Sequence, residues 1–400
     1  FFGANTGTDL YFYLFNLVLL IGGMVQTIAT SILIPQSMLL RLSTSAKAEM
    51  RYLNSFLYSF VALILLFVFL MYLVGDKVPE LITNFPPEDI EKYISVYYAS
   101  LILMVLMVVN LFLTEVLVSF KFFSLPLLCN LLLNSGVILA LLLFKSTMGV
   151  SSMIYGSCAA GIFNAVMLIV LMKKRLHWRF SLTDFPVVFR QWKAISGLAF
   201  NQGIVIFAST IPMYLLSCYQ PGIITIINYA QKFIQAPLAW IQQFTAVLQI
   251  KLNNLKGDKR EHEIYRSASA IAVRLFLLTL FTSFVIFLLR DFIAETLFGL
   301  GKMPTEAGSK LSYLIGVLTF SMPFTAMSLA YMKIFFTQGY IRQYVTIMLF
   351  INVMSCALYA VSIHCWQENG YAFVYILVEM LTTLVIWLYL QKRLKKKEFA

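Results

Sequence analysis

Residues 53–75 have the sequence LNSFLYSFVALILLFVFLMYLVG and contain no Asp, Glu, Lys, Arg or His. An α-helix needs about 20 mainly apolar residues to cross a bilayer. The sequence therefore predicts a membrane-spanning helix here, and it predicts an all-α polytopic membrane protein with eleven such spans in total. The other ten are residues 10–40, 93–120, 122–145, 149–172, 194–217, 222–250, 269–290, 310–336, 341–363 and 371–391.

The composition agrees with this class and excludes others. Hydrophobic residues make up 60% of the chain and charged residues 12%, against about 25% charged residues in soluble domains. The net charge of +12 would suit a nucleic-acid-binding protein, but the basic residues lie in loops between spans, so we expect no nucleic acid. The five cysteines and three histidines show no metal-binding spacing. We expect neither a metal nor another cofactor.

The charges of the loops predict the orientation of the spans. Basic residues collect on one side, and acidic or balanced loops lie on the other, as the positive-inside rule describes. We therefore expect the C-terminus in the cytoplasm and Phe1 outside, as in a twelve-helix protein without its first helix. The basic side includes Arg41, Lys47, Arg51, Lys173, Lys174, Arg175, Lys392 and Arg393, and the acidic side includes Asp76, Glu80, Glu88 and Asp89.

The most polar connector, residues 173–193, suggests a division into two lobes. It mixes basic and aromatic residues, which is typical of a segment in the headgroup layer. With a first helix restored, six spans would precede it and six would follow, as in parallel repeats. We predict an N-lobe at 1–172, a cytoplasmic interfacial connector at 173–193 and a C-lobe at 194–400. The aromatic residues of the connector are Trp178, Phe180, Phe185, Phe189 and Trp192.

The predicted span 222–250 is unusual because polar residues follow one of its faces. On a helical projection they fall within about 120°, with Pro237 opposite. Lys232 lies ~15 Å inside the span, where a cation costs at least ~2.5 kcal/mol to insert and marks a route for charged cargo. The residues of this polar stripe are Asn228, Gln231, Lys232, Gln235, Gln242, Gln243 and Gln249.

Two interpretations of the polar stripe compete. Single Asn or Gln residues in spans often form hydrogen bonds between packed helices. A stripe along the whole helix with a central lysine instead favours a water-filled cavity. A fixed cation would compensate a diphosphate, and amides would suit sugar hydroxyls because they both donate and accept hydrogen bonds. We therefore expect transport of an anionic substrate.

Other polar residues inside the spans are weaker candidates. Glu379, in the last span, suggests a pairing with Lys232, a protonated acid or coupling to an ion. Glu115 and Arg274 lie near predicted span ends, which favours structural roles. Several amides would either line the same cavity or join helices, and the sequence leaves both open; they include Gln26, Asn201 and Asn352.

Three stretches of the chain resemble one family. Phe2-Gly3-Ala4 with Thr8-Asp9 resembles the start of the second helix in MurJ-type lipid II flippases and related oligosaccharide flippases. Residues 228–238, NYAQKFIQAPL, resemble the family's helix with Tyr-Ala, a basic residue and Pro-Leu, and residues 295–339 are also similar. The resemblance implies the MOP exporter superfamily, in which two six-helix lobes surround a central cavity and work by alternating access.

The resemblance also implies roles for single residues. Lys232 takes the place of a family arginine, so the charge is kept without the bidentate fork, and Asp9 matches an acidic residue. The apolar run around Gly22 replaces another family arginine, which leaves lipid II and a polysaccharide repeat unit both open as cargo. Together with the stripe, the expected substrate-binding residues are Lys232, Asn228, Gln231, Gln235, Gln242, Gln243, Asp9, Gln26 and Asn201. The expected ion-coupling residues are Glu379 and Asn352.

The expected function is that of a monomeric flippase in the bacterial cytoplasmic membrane. It would move an undecaprenyl-diphosphate-linked glycan to the outer leaflet, driven by the membrane potential or by a Na⁺ or H⁺ gradient. A MATE-like drug or cation antiporter of the same superfamily is an alternative, but it would prefer acidic cavity residues, and Lys232 argues against it. A membrane-embedded glycosyltransferase or polymerase would need a poised carboxylate or histidine, and no acid–base pair is evident.

Overall fold

The computed structural model describes residues 2–257, 261–298 and 305–398, and these ranges are built from helices without a β-strand. A π-helical turn at Ala29–Leu33 and a 3₁₀ turn at Thr319–Ser321 connect successive α-helices. The helices are α1 (Thr6–Ile28), α2 (Ile34–Ser43), α3 (Ala46–Val74), α4 (Lys77–Ile82), α5 (Pro87–Lys92), α6 (Ile94–Ser119), α7 (Leu125–Met148), α8 (Ser151–Leu176), α9 (Pro186–Leu216), α10 (Ile223–Gly257), α11 (Glu261–Phe298), α12 (Thr305–Leu318), α13 (Met322–Gln338) and α14 (Ile341–Glu398).

The predicted all-α polytopic fold is confirmed, and the count of spans differs at two places. Within the described ranges, nine helical stretches are long and apolar enough to cross a membrane. α10 is not among them because its polar residues lower its hydropathy. α14 counts once although it contains two predicted spans, 341–363 and 371–391, which are separated by a kink at Gln367 with φ 50° and ψ −127°.

A π-helical turn interrupts the first predicted span, and the interruption has a local cause. Gly22-Gly23 and Pro35 are the residues of this span that most readily disturb a membrane helix. α1 continues through both glycines, and the irregularity is the π-helical turn that directly precedes Pro35. Proline lacks an N–H and its ring clashes with the preceding turn, so the backbone widens there instead of keeping regular α-helical hydrogen bonds.

The chain divides into two compact units, described separately below. The first contains Thr6–Phe207, and the second contains the described part of Ala208–Ala400 together with Gly3–Asn5. The division falls inside α9, after the predicted connector. The lobe boundaries at residues 172 and 194 stay a prediction.

In the first unit, small residues let α7 and α8 approach closely. A Cβ added at Gly136 would lie 2.6 Å from Ala160 Cβ, and one added at Gly156 would lie 2.6 Å from Gly136 O. Ala140 faces Gly156 in the same way. Helices in lipid associate through such small-residue contacts, because lipid supplies no hydrophobic drive between them.

In the second unit, α12 and α13 lie in the core and the break between them is chemically compensated. Leu314 and Leu318 are fully buried. Pro323 cannot donate a hydrogen bond to Thr319 O, one turn earlier. Thr319 O accepts instead from Met322 N at the end of the 3₁₀ turn and from Ser283 Oγ on α11, the latter at 2.8 Å. The turn and a neighbouring helix together therefore satisfy the backbone polar group at the break, as a membrane interior requires.

Candidate functional site

The N-terminal part of the polar stripe on α10 lies in the packing of the second unit. Asn228 is only 3% exposed, and its Nδ2 donates to Ile224 O at 2.9 Å. Gln231 Nε2 donates to the hydroxyl of Tyr371 on α14 at 2.5 Å. These two amides therefore make hydrogen bonds within one unit.

The next turn of α10 behaves differently, because Lys232 and Gln235 are exposed. Within the described residues Lys232 forms no ion pair, and so the suggested pairing with Glu379 is not present. The structure thus leaves a lysine ammonium and an amide available on consecutive turns of one helix. The side chains of Gln242, Gln243 and Gln249 lie outside the described part of the structure.

Glu379 on α14 belongs to a cluster with tyrosines that the sequence analysis missed. The rings of Tyr371 and Tyr359 stack with centroids 5.6 Å apart, and Tyr375 follows at 5.9 Å from Tyr371. Glu379 lies one turn after Tyr375 on α14, and its backbone carbonyl accepts a hydrogen bond from Thr383 Oγ1 at 3.0 Å. A possible signal was present in the sequence, since Tyr371, Tyr375 and Glu379 recur every four residues and share a helix face.

The other predicted ion-coupling residue, Asn352, is half-buried on α14. Its carbonyl oxygen accepts hydrogen bonds from Ser355 Oγ at 2.8 Å and from Cys356 Sγ at 3.1 Å. Between these two described residues, Asn352 and Glu379, no hydrogen bond is formed. The structure therefore places both in the second unit without joining them.

The predicted residues of the first unit occupy three separate positions. Asp9 is 1% exposed in the first turn of α1, where a carboxylate interacts favourably with the helix dipole. Gln26 Nε2 donates to Glu115 Oε1 on α6 at 2.5 Å. Asn201 on α9 is 7% exposed, and its Oδ1 has no hydrogen-bond partner among the described atoms.

A second cation inside a span was also missed. Lys333 on α13 is half-buried and has no carboxylate partner in the described ranges. α13 packs against α10, so Lys333 lies on a helix adjacent to the stripe. The signal was Lys333 itself, the one lysine of the predicted span 310–336 that does not stand at its first residue.

This arrangement offers charge and hydrogen bonding rather than reactive groups. In the described part of the chain, no group of three His, Cys, Asp or Glu residues is placed to hold a metal ion. Many apolar spans, together with a polar-faced helix that exposes a lysine, are typical of a polytopic membrane transporter. The sequence model of one family, Lipid II flippase MurJ, matches residues 1–400. The chain belongs to this family.

Solved structures of membrane transporters share the fold. A lipid II flippase MurJ in an inward closed conformation superposes with a TM-score of 0.82 at 16% identity, covering 97% of this chain and 82% of that one. An inward-facing multidrug resistance MATE family transporter of the MOP superfamily gives 0.81 at 12% identity, covering 99% and 91%. A MOP superfamily transporter from Pyrococcus furiosus gives 0.68 at 12%, covering 98% and 88%. A search of curated proteins gives no match.

These comparisons decide between the three functions that the sequence left open. The family is one of lipid flippases, so the chain is a multi-pass membrane transporter of a lipid-linked substrate and not an enzyme. The MATE-like alternative is weaker, because similarity at 12% identity concerns the fold alone, whereas the family model covers the whole chain.

Proposed function

We propose that this flippase moves an undecaprenyl-diphosphate-linked glycan, with lipid II as the first candidate, to the outer leaflet of the bacterial cytoplasmic membrane. The C-terminus lies in the cytoplasm in this proposal, as the loop charges favour. The observation that carries the proposal is the exposure of Lys232 within α10.

An exposed lysine at this depth must be solvated by something other than acyl chains. Charged side chains inside spans face water or pair with other groups, and Lys232 has no ion-pair partner in the described structure. A diphosphate passing along α10 would be compensated by this ammonium group. Gln235, exposed on the following turn, would bond to sugar hydroxyls by donating and accepting.

The experiment is a transport assay in proteoliposomes that contain fluorescent lipid II, with outer-leaflet probe detected by a membrane-impermeant quencher. Lys232→Ala and Lys232→Gln are expected to lose transport, because both remove the charge. Lys232→Arg is expected to retain it, since the cation remains. Lys77→Ala serves as the matched control, because Lys77 is exposed on α4 outside the spans.

The proposal fails if Lys232→Ala, folded and reconstituted to the same level, flips lipid II like the parent. If the parent itself does not flip lipid II, the same assay with a lipid-linked polysaccharide repeat unit tests the other cargo. Lys232 dependence with that substrate would keep the role of the residue and change only the glycan.

Glu379 is proposed to bind the coupling cation, Na⁺ or H⁺. It is a carboxylate in a largely apolar and aromatic part of α14, one turn after Tyr375. The test imposes a Na⁺, an H⁺ or an electrical gradient, one at a time. One of these gradients should accelerate transport by the parent protein. Glu379→Gln should abolish that acceleration, and the transport rate measured without a gradient should stay unchanged. An unchanged gradient response in Glu379→Gln rejects this role.

A further inference from the structure

The loop between α8 and α9 is fixed on its inner side by one buried amide. Asn54 on α3 is 1% exposed, and its Nδ2 donates to the carbonyls of Arg179 at 2.7 Å and Leu182 at 2.8 Å. Its Oδ1 accepts from Trp178 Nε1 at 2.8 Å. The side chain of Asn54 thus makes three hydrogen bonds that hold residues 178–182 in place.

Neighbouring side chains of α3 extend the attachment. Ser55 Oγ accepts from Asp184 N at 2.6 Å, and the hydroxyl of Tyr58 donates to Phe180 O at 2.8 Å. Trp178 is 4% exposed and packs edge-to-face on Phe120 with ring centroids 6.1 Å apart. Trp178 is therefore buried against α3 and α6, unlike three other aromatic residues of the predicted connector, Phe185, Phe189 and Trp192, which are exposed.

The residues that follow this loop, at its end and in the first turns of α9, are instead exposed. Phe185 is 46% exposed, Phe189 80% and Trp192 55%. Exposed cations flank these rings along the chain: Lys174 and Arg175 lie at the end of α8, and Arg190 lies on α9 between Phe189 and Trp192. We call these six residues the connector surface.

We propose that the connector surface binds anionic phospholipid headgroups. The three rings would enter the boundary between headgroups and acyl chains, where amphipathic aromatic residues are stable. The three cations would contact lipid phosphates, because basic side chains near a membrane are attracted to an anionic surface.

The charge distinguishes this surface from ordinary lipid-facing helices. Leu65, Leu66 and Phe69 on α3 are also exposed, but no charged residue lies within the stretch 53–75, so they suit acyl chains alone. The hydrogen bonds to α3 add a second reason, because a loop that is already ordered loses little conformational entropy when it binds. The inference does not depend on the cargo of the transporter.

The test measures binding of phosphatidylglycerol to the purified full chain by native mass spectrometry and in nanodiscs of defined composition. The triple variant Lys174→Gln, Arg175→Gln, Arg190→Gln is expected to lose at least about tenfold in affinity. Its control neutralises three other exposed basic residues, Lys47→Gln, Arg51→Gln and Lys392→Gln, and should lose less than about threefold. Equal losses would show a diffuse charge effect and overturn the proposal.

Two further measurements separate the lipid from other partners. Brominated phosphatidylglycerol should quench the fluorescence component that disappears in Trp192→Phe, and brominated phosphatidylcholine should quench it less. Excess glycerol phosphate should not compete, because the rings require a bilayer. No preference for phosphatidylglycerol over phosphatidylcholine in either measurement overturns the proposal, and the surface would then suit a protein partner.

The attachment to α3 gives a variant that leaves every charge in place. Tyr58→Phe removes one hydrogen bond to the loop, and Asn54→Ala removes three. If the surface is preformed, the affinity for phosphatidylglycerol should fall slightly in Tyr58→Phe and further in Asn54→Ala. Asn54→Ala that remains folded and binds like the parent would contradict a preformed surface, and Tyr58→Phe provides the milder comparison if Asn54→Ala does not fold.

Discussion

The α7–α8 pair of the first unit and α10 of the second both contain residues that a simple apolar span lacks, but they use them in opposite ways. On α8, Gly156 admits the neighbouring backbone, and Asn164 Nδ2 donates to Cys129 O on α7 at 3.0 Å. On α10, Lys232 and Gln235 remain exposed. The difference teaches that a polar side chain in a helix indicates function when it makes no hydrogen bond or ion pair within its own unit.

The largest effect is expected at the α7–α8 contact. Gly156→Leu places a side chain against Gly136 O, which a Cβ alone would approach to 2.6 Å. Overpacking of this kind costs up to ~3 kcal/mol, and we expect a strongly lowered unfolding temperature in detergent and loss of the monodisperse peak in size-exclusion chromatography.

The matched control for this prediction uses one substitution at two glycines. Gly156→Ala meets Ala140 Cβ at 2.6 Å, whereas at Gly23 nothing lies within 4 Å of an added Cβ. Because alanine is favoured over glycine in helices by about 0.5–1 kcal/mol, Gly23→Ala should be neutral or stabilising, while Gly156→Ala should lower the unfolding temperature. Equal unfolding temperatures would mean that the close contact does not support the fold.

A smaller but decisive effect is expected at Lys232 and concerns transport. Truncating one partner of a desolvated charge pair costs about 2 kcal/mol or more, roughly 30-fold in affinity or rate. If Lys232 pairs with the substrate, the flipping rate of Lys232→Ala should fall by about this factor. The double variant Lys232→Ala, Glu379→Gln should flip no faster than Lys232→Ala alone. The measurement is the flipping rate in proteoliposomes, with equal reconstitution checked by gel.

Recovery of transport in the double variant would break the comparison. It would mean that Lys232 and Glu379 form a structural pair, because removing both charges would then leave neither uncompensated. α10 would in that case resemble α8, with its polar groups used inside the unit.

The sequence predicted the spans well because lipid imposes a simple rule. A stretch such as residues 53–75 can only be a buried or lipid-facing helix, and the structure places α3 there. The polar stripe was equally visible, since periodicity within one helix is a local property. The kink at Gln367 was visible only as a gap between two predicted spans.

The sequence could not predict which residues of the polar stripe form hydrogen bonds within the unit and which stay exposed. Gln231 and Tyr371 are far apart in the chain, and nothing in either segment announces that their side chains meet at 2.5 Å. The contacts of Asn54 with Trp178 and Arg179 are hidden for the same reason. Lys333 was visible as a residue, but its half-burial depends on neighbouring helices.

The smallest effect is expected at the buried end of the stripe, where Gln231 donates to Tyr371. Hydrogen bonds between helices in membrane proteins contribute about 0.6 kcal/mol on average. Gln231→Met and Tyr371→Phe should each lower the unfolding temperature slightly. The double variant should be less destabilised than the sum of the two, because each single variant already removes the shared bond. Transport should fall by less than about threefold in all of them, since Gln231 is engaged within its own unit. The contrary result would be a loss of transport in Gln231→Met with no energetic coupling to Tyr371. In that case the whole polar stripe would act as one functional surface, and a hydrogen bond within the unit would not identify a residue of α10 as structural.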